Sequence, residues 1–414
     1  MKYKELKNLY YGDNKVYAQE YLNRFESDDT IKLNFYIGEN QAFFTANTEV
    51  LKRAFNIAKL DKEIGDLCGK LPGVAIDQYS RKCLIDEIVI TNKIEGVHSS
   101  RKEIGEALDV LELQSKSKGK HHRFVSLVNK YLKLINQENI FLENCQDVRD
   151  IYDEIFLEEV VNEDSSNKPD GELFRKEVVA VHSETDKVIH TGLTPESKII
   201  ESMTQALEFL NDDSIEKLFR ICVFHYLIEY IHPFYDGNGR LGRFILSYGI
   251  SNTLTPLIAF RISETIKENI SAYYKAFSTC NDYRNLGDVT PFLLMQLKMI
   301  LLAMEELKKS LNEKLIIWKK YEEVIGQQRD NFDLLRLYSF LIQAALFSEQ
   351  GISMIELQHN MGFSSYKIKN LMCKIPEDML AVKIKNKFKF YSVNLERLNK
   401  SILAKSVEAI QKTE

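Results

Sequence analysis

EKLFRICVFHYLIEYIHPFYDGNGRLGR, residues Glu216 to Arg243, joins two kinds of pattern in one run. Up to Ile231 it is apolar nearly all round, as suits a helix enclosed on every side. Pro233 marks the end of that helix, since proline neither donates to nor fits the interior of a continuing turn. Beyond the glycines the apolar spacing resumes as RLGRFILSYGISN, Arg240 to Asn252. HPFYDGNGR therefore links two core helices and lies at the N-terminus of the second.

Working outward, long stretches repeat apolar residues at three- and four-residue intervals and the chain of 414 residues has only 7 prolines, so the expected fold is mainly α. FRKEVVAVHSETDKVIHTG, Phe174 to Gly192, breaks the pattern with two β-branched runs around a polar turn, and reads as a hairpin, the only clear one before the C-terminus. After a charged helix ending near Arg329 come DLLRLYSFLIQAAL, ISMIELQHNMG, SSYKIKNLMCKI and LAVKIKNKFKFYSV, the order of a winged helix. The expected organisation is an N-terminal helical region over 1–115, a helical core over 116–329 and a winged helix over 330–414. A lysine-rich link, Gln114 to Arg123, joins the first two.

Composition limits the partners. A net charge of −5 and a pI near 6.0 argue against a surface built as a whole for nucleic acid, leaving only a local basic face. The six cysteines form neither a CxxC pair nor a dense framework, which favours reduced thiols. MKYKELKNLYYGD carries charge where a signal peptide needs an apolar stretch, and no run approaches the roughly 18 apolar residues of a membrane span. The expectation is a cytoplasmic protein with no membrane contact.

The loop itself specifies a chemistry. Free amides at a helix N-terminus and the helix dipole attract anions. Gly237 and Gly239 allow positive φ and close approach of an oxygen, which makes a phosphate cradle. Arg240 and Arg243, three apart, can each clamp a phosphate oxygen, so the ligand is multiply charged. Asp236 would be repelled by that ligand unless a cation stands between them, and a lone carboxylate completed by phosphates and water suits Mg²⁺. His232 titrates near neutrality and can take a proton from an attacking hydroxyl, as a general base. Phe234 is the apolar anchor of the loop, and Asn238 either fixes the loop or binds a phosphate oxygen.

HPFYDGNGRLGR resembles the HPFxDGNGRxxR signature of the Fic family at every specified position. The resemblance implies an all-α Fic core that binds ATP with Mg²⁺ and transfers AMP to a Ser, Thr or Tyr hydroxyl of a target protein or of itself. Carried over by position, His232 is the catalytic base, Asp236 holds the metal, and Gly237, Asn238, Gly239, Arg240, Leu241, Gly242 and Arg243 form the ATP-binding stretch. Related toxins that phosphorylate carry lysine where this chain has Gly239, which favours AMP transfer over kinase activity. The hairpin at Phe174 to Gly192 falls where the family carries a flap that pairs with a target's backbone, and SETIKENISAYYKAF resembles the segment lining the base pocket, which offers Asn269 and Tyr273. The family also implies a homodimer.

TNKIEG, Thr91 to Gly96, resembles the [S/T]xxxE[G/N] inhibitory motif of this family, placed N-terminal to the core. The resemblance implies that Glu95 pairs with Arg243 and forces ATP into an unproductive pose, with Thr91 four residues earlier on the same face. In some relatives the same glutamate positions a water that removes AMP. Two alternatives remain. One is transfer of UMP or another phosphate-linked group. The other is a nucleotide-sensing regulator that binds DNA through lysines 367, 369, 374, 383, 385, 387 and 389.

Overall fold

The computed structural model describes residues 3–12, 14–112, 123–182, 188–326, 331–385 and 388–400. Helices dominate, and the described strands form three small antiparallel sheets. The chain divides into two compact units, Met1–Lys62 with Leu84–Glu306 and Glu63–Cys83 with Leu307–Glu414.

The first unit opens with α1 (Leu6–Leu9) and α2 (Asn14–Phe25), then a hairpin of β1 (Thr30–Ile37) and β2 (Asn40–Thr45). This hairpin lies inside the region expected to be helical. Its signal was the alternation of Leu33, Phe35 and Ile37, all buried, before Gly38 at φ 59°. α3 (Thr48–Cys68) and α4 (Gly73–Ile94) follow. The division between the units falls within both helices and again within α14 (Thr290–Gly326). Continuous helices carry the chain through each of these divisions. Residues 113–122, most of the lysine-rich link, lie outside the described residues.

Next come α5 (Arg101–Glu112), α6 (Val125–Ile135), α7 (Cys145–Tyr152) and α8 (Glu158–Glu163), the last two joined by a π-helical turn over Asp153–Leu157. β3 (Ala180–His182) pairs with β4 (Val188–Thr191), so the expected flap exists but is shorter than Phe174 to Gly192; its tip, 183–187, lies outside the described residues. α9 (Glu196–Leu210), α10 (Lys217–Ile231), α11 (Asn238–Ser251), α12 (Ile262–Glu268) and α13 (Ile270–Cys280) precede α14. α10 is the centre of the unit: of its 15 residues 13 are buried, against α9 on one side and α11 on the other. Each fully buried large apolar side chain stabilises the fold by roughly 1.5–3 kcal/mol, which fixes both ends of the loop between α10 and α11.

The second unit takes the rest of α14 and then α15 (Phe332–Phe347), β5 (Ile352–Ser353), α16 (Met354–Met361), α17 (Ser365–Met372), β6 (Leu380–Lys385) and β7 (Phe388–Val393). The three strands lie in the order β5-β7-β6. Ser353 and Glu356 close a capping box on α16, Gly362 ends that helix at φ 70°, and Ser364 caps α17 through the Lys367 amide. Lys387 lies outside the described residues. No described helix is long and apolar enough to cross a membrane.

Candidate active site

The loop is built from inside out. His232 ends α10 in a left-handed conformation at φ 52°, its amide bonded to Ile228 O at 2.9 Å. Phe234 is fully buried and stacks on Tyr152 at 3.6 Å between ring centroids. Asn238 grips the Phe234 backbone with both ends of its amide: Nδ2 donates to Phe234 O at 2.8 Å and Oδ1 accepts from Phe234 N at 2.9 Å. Its side chain therefore fixes the loop, leaving only its backbone for a ligand. Gly237 stands at φ 83° immediately before α11, a conformation that favours glycine.

A residue the sequence did not single out holds this loop from outside. Arg175 is fully buried, and its guanidinium donates to the backbone oxygens of His232 and Leu193, both at 2.9 Å, and to that of Glu177. Its own amide bonds Pro233 O at 3.2 Å, and Leu193 N bonds Ile231 O at 3.1 Å. The chain on either side of the β3–β4 ribbon is thus hydrogen-bonded to residues 231–233. Gly192 completes the junction: a Cβ there would collide with the Arg175 guanidinium and lie 2.9 Å from His232 Cβ. No periodicity marks an arginine whose partners are backbone carbonyls, so only the structure shows it.

His232 keeps part of its surface accessible, yet protein encloses the ring, and Nδ1 is buried without a hydrogen-bond partner among the described residues. Burial, with His190 and Arg175 nearby, pushes its pKa down to about 3 instead of the neutral range expected. The imidazole is therefore unprotonated at neutral pH, as a proton acceptor must be, and an anion bound beside it would raise its basicity. Asp236 accepts the Gly237 amide on Oδ1 at 2.6 Å and is only half-buried. Among the described residues no cluster of three or more His, Cys, Asp or Glu side chains could hold a metal. A cation here would rest on Asp236 together with ligand oxygens and water.

The two arginines lie within α11 and are buried. Arg240 gives one nitrogen to Glu159 at 2.7 Å and lies 5.1 Å from the Phe156 ring centroid, while its Nε and Nη2 are buried without partners. Such orphaned donors suit an incoming oxyanion. Arg243 is fully engaged on one side: Nε donates to Thr91 Oγ1 at 2.8 Å, and Nη2 to Glu95 Oε1 at 2.6 Å and to Thr91 O at 3.3 Å. Glu95 falls one residue beyond the end of α4, in a turn closed by Gly96 at φ 74° and a bond from Val97 N to Asn92 O. Its carboxylate lies over Gly239, where a Cβ would collide with it. One turn and two turns further back, Thr91 and Glu87 continue the same face. Glu87 is fully buried, accepts the Ser263 amide at 3.0 Å and its hydroxyl, and burial pushes its pKa up to about 7.

The remaining candidates are placed less directly. Leu241 is a core side chain, so it can meet a ligand only through its backbone, and Gly242 lies against Glu229 and His225 of α10. Tyr273 is buried, and its hydroxyl shares a 2.8 Å hydrogen bond with His225 Nε2, while Asn269 Nδ2 bonds Thr265 O at 2.9 Å. The loop and the Thr91–Glu95 segment are thus brought together at Arg243, whereas the Tyr273 hydroxyl is already occupied.

Residues 143–248 match the Fic/DOC family model, a segment that contains the whole loop but neither Glu95 nor Asn269 and Tyr273. Two curated relatives are the protein adenylyltransferase fic-1 of Caenorhabditis elegans, 30% identical over 106 residues, and that of Caenorhabditis briggsae, 29% identical over 106 residues. Each alignment covers 25% of this chain and 19% of the relative, so the chain spans about a fifth of the length of the curated relatives it matches. Solved structures similar to the chain include a Fic family protein from Desulfovibrio desulfuricans G20, 20% identical with a TM-score of 0.46, covering 82% of this chain and 96% of that one. Fic-1 from C. elegans is 21% identical with a TM-score of 0.40, covering 64% of this chain and 74% of that one.

Proposed function

We propose that this chain is a protein adenylyltransferase that moves AMP from ATP to a hydroxyl side chain and is held in check by Glu95. The observation that carries the reading is the pair of buried arginines on the opening turns of α11, one with two orphaned nitrogens and one closed by a carboxylate. A site with bare N-terminal amides, two enclosed guanidinium groups and a neutral imidazole at the preceding helix end suits phosphoryl chemistry, where positioning and charge neutralisation supply most of the catalysis. In this mechanism His232 takes the proton from the acceptor hydroxyl as its oxygen bonds the α-phosphorus. The bond to pyrophosphate breaks, and Arg240 and Arg243 hold the departing charge. Mg²⁺ bound at Asp236 would neutralise phosphate oxygens. The β3–β4 ribbon offers open edges on which an extended acceptor segment can add as a strand. Glu95 on Arg243 occupies the guanidinium that the outer phosphate requires.

The test is labelled ATP with Mg²⁺ and the full chain in cell extract. Glu95→Gly is expected to raise incorporation at least about tenfold, the effect of an interaction of about 1.4 kcal/mol, and His232→Ala in that background to abolish it. No ATP-dependent incorporation by Glu95→Gly overturns the reading.

A second activity is favoured by one surface. The helix–strand–helix–helix–strand–strand order of 332–393 supports a winged helix, and α17 with its capping residue Cys373 exposes Tyr366, Lys369, Asn370 and Cys373 at i, i+3, i+4 and i+7, a stripe suited to a DNA groove. Residues 331–400 hold ten Lys and Arg against six Asp and Glu in a chain of net charge −5. Lys367 is committed to Asp333 at 2.7 Å, and Lys383 to Glu349 O at 2.8 Å, so Lys369 and Lys374 are the cations this reading relies on. Duplex DNA is expected to retard the full chain in a salt-dependent manner, and Lys369→Glu to weaken binding about tenfold or more. Absence of a salt-dependent shift would exclude it.

A further inference from the structure

Two glycines one turn apart on α11, Gly239 and Gly242, each make room for a carboxyl group. Glu95 fills the space a side chain would take at Gly239, and Glu229, from α10, fills it at Gly242. Arg243 follows directly and pairs with Glu95 at 2.6 Å. Glu229 lies three residues before His232, and its Oε1 is buried with no hydrogen-bond partner among the described residues. With Oε1 buried and unpartnered the charged form is costly even though part of the residue stays accessible, so Glu229 keeps its proton in this arrangement. Burial pushes it up to about 8, with Arg243 pulling down and Glu95 pushing up. The groups that face it are Arg243 of α11, Glu95 after α4, and Tyr273 of α13, whose hydroxyl is tied to His225 of α10.

We propose that Glu229 is a positioning residue: when Glu95 withdraws, the Glu229 carboxyl releases its proton to solvent and becomes the ion-pair partner that keeps Arg243 in place for a phosphate. Arg243 is fully buried, and besides Glu95 the carboxyls whose fields reach it are Glu229 and Glu87; Glu87 is already held by the Ser263 amide and hydroxyl, which leaves Glu229, with Oε1 unpartnered among the described residues, to take the place of Glu95. The exchange balances: one carboxylate leaves the guanidinium, one carboxylic acid becomes a carboxylate, and one proton goes to the buffer. The nucleotide part of this inference rests on the adenylyltransferase reading; the ion-pair part does not.

The experiment is a thermal-unfolding series at pH 7 on the full chain, comparing Glu229→Gln in the native and Glu95→Gly backgrounds. Glutamine mimics the neutral acid, so the native background is expected to lose little. In Glu95→Gly the same change strands Arg243, and the fall in Tm is expected to be at least about twice as large. With Arg243→Gln added, Glu229→Gln is expected to cost nothing, which separates lost charge pairing from simple misfit. Equal falls in both backgrounds, or a fall that persists without Arg243, overturn the proposal. The second readout is labelling by Glu95→Gly: Glu229→Gln is expected to raise KM for ATP several-fold with kcat nearly held. If Glu95→Gly never labels anything, the adenylyltransferase reading falls and the melting series still decides this inference.

Discussion

Arg175 shows how much a single side chain can do from outside a motif. Its guanidinium satisfies the backbone oxygens of Glu177, Leu193 and His232, and so fixes the turn on which the imidazole stands. Hydrogen bonds to charged groups contribute about 1.5–3 kcal/mol each, and three backbone carbonyls would lose their donor together. Arg175→Ala is therefore expected to lower stability by about 3 kcal/mol or more in urea unfolding, and Arg175→Lys to recover only part, since an ammonium cannot span three acceptors with a planar fork. A loss under about 1 kcal/mol would remove Arg175 as the clamp. At this scale the sequence was legible where a residue acts through its own chemistry. His232, Asp236 and the two arginines stand out by type and spacing, and Phe234 by its apolar ring in a polar loop. Arg175 and Glu229 were not legible, because their importance lies in which backbone and which neighbour they meet.

Glu87 and Thr91 of α4, with Glu95 just past its end, continue one face, and each meets a different partner. Glu87 is bonded to Ser263, Thr91 to the Nε of Arg243, and Glu95 to its Nη2. Losing the Thr91 hydroxyl removes one hydrogen bond to a charged group. Thr91→Ala is expected to raise labelling about fivefold, on the order of 1 kcal/mol of relief, a smaller rise than Glu95→Gly gives. An unchanged rate, or one above that of Glu95→Gly, would show that Thr91 does not share the contact. Whole elements were legible where the pattern was long. α10 is apolar all round and ends at a proline, and the start of α11 is announced by glycines. The β1–β2 hairpin escaped because its first strand alternates for only a few residues amid polar ones. The turn at Gly96, which sets Glu95 just past its helix, is a backbone detail that four-residue spacing does not reveal.

Among the described residues, the four carboxyl and imidazole groups with the largest shifts dominate how stability should vary with pH. Glu87 and Glu229, at about 7 and about 8 against an ordinary 4.5, hold protons in the folded chain that the unfolded chain has released, so stability falls as pH rises through that window. His225 and His232, both at about 3 against 6.5, act in the opposite sense: the unfolded chain binds protons that the folded chain refuses, and stability falls as pH drops below about 6.5. The two trends offset between about pH 4.5 and 6.5, where Tm is expected to be highest; Glu87→Gln with Glu229→Gln should flatten the alkaline decline. A Tm still rising at pH 8 would contradict this assignment. The division of the chain into two units was not legible, because the helices that cross it carry no break in pattern. The docking of the ribbon's base onto residues 231–233 has a geometric outcome for any guest chain. Because the rail and the imidazole share one anchored frame, a threaded segment would be read like type on a fixed ruler, two residues per step. On the proposed adenylyltransferase reading, the acceptor hydroxyl would then recur at a constant offset from whatever side chains grip the rail.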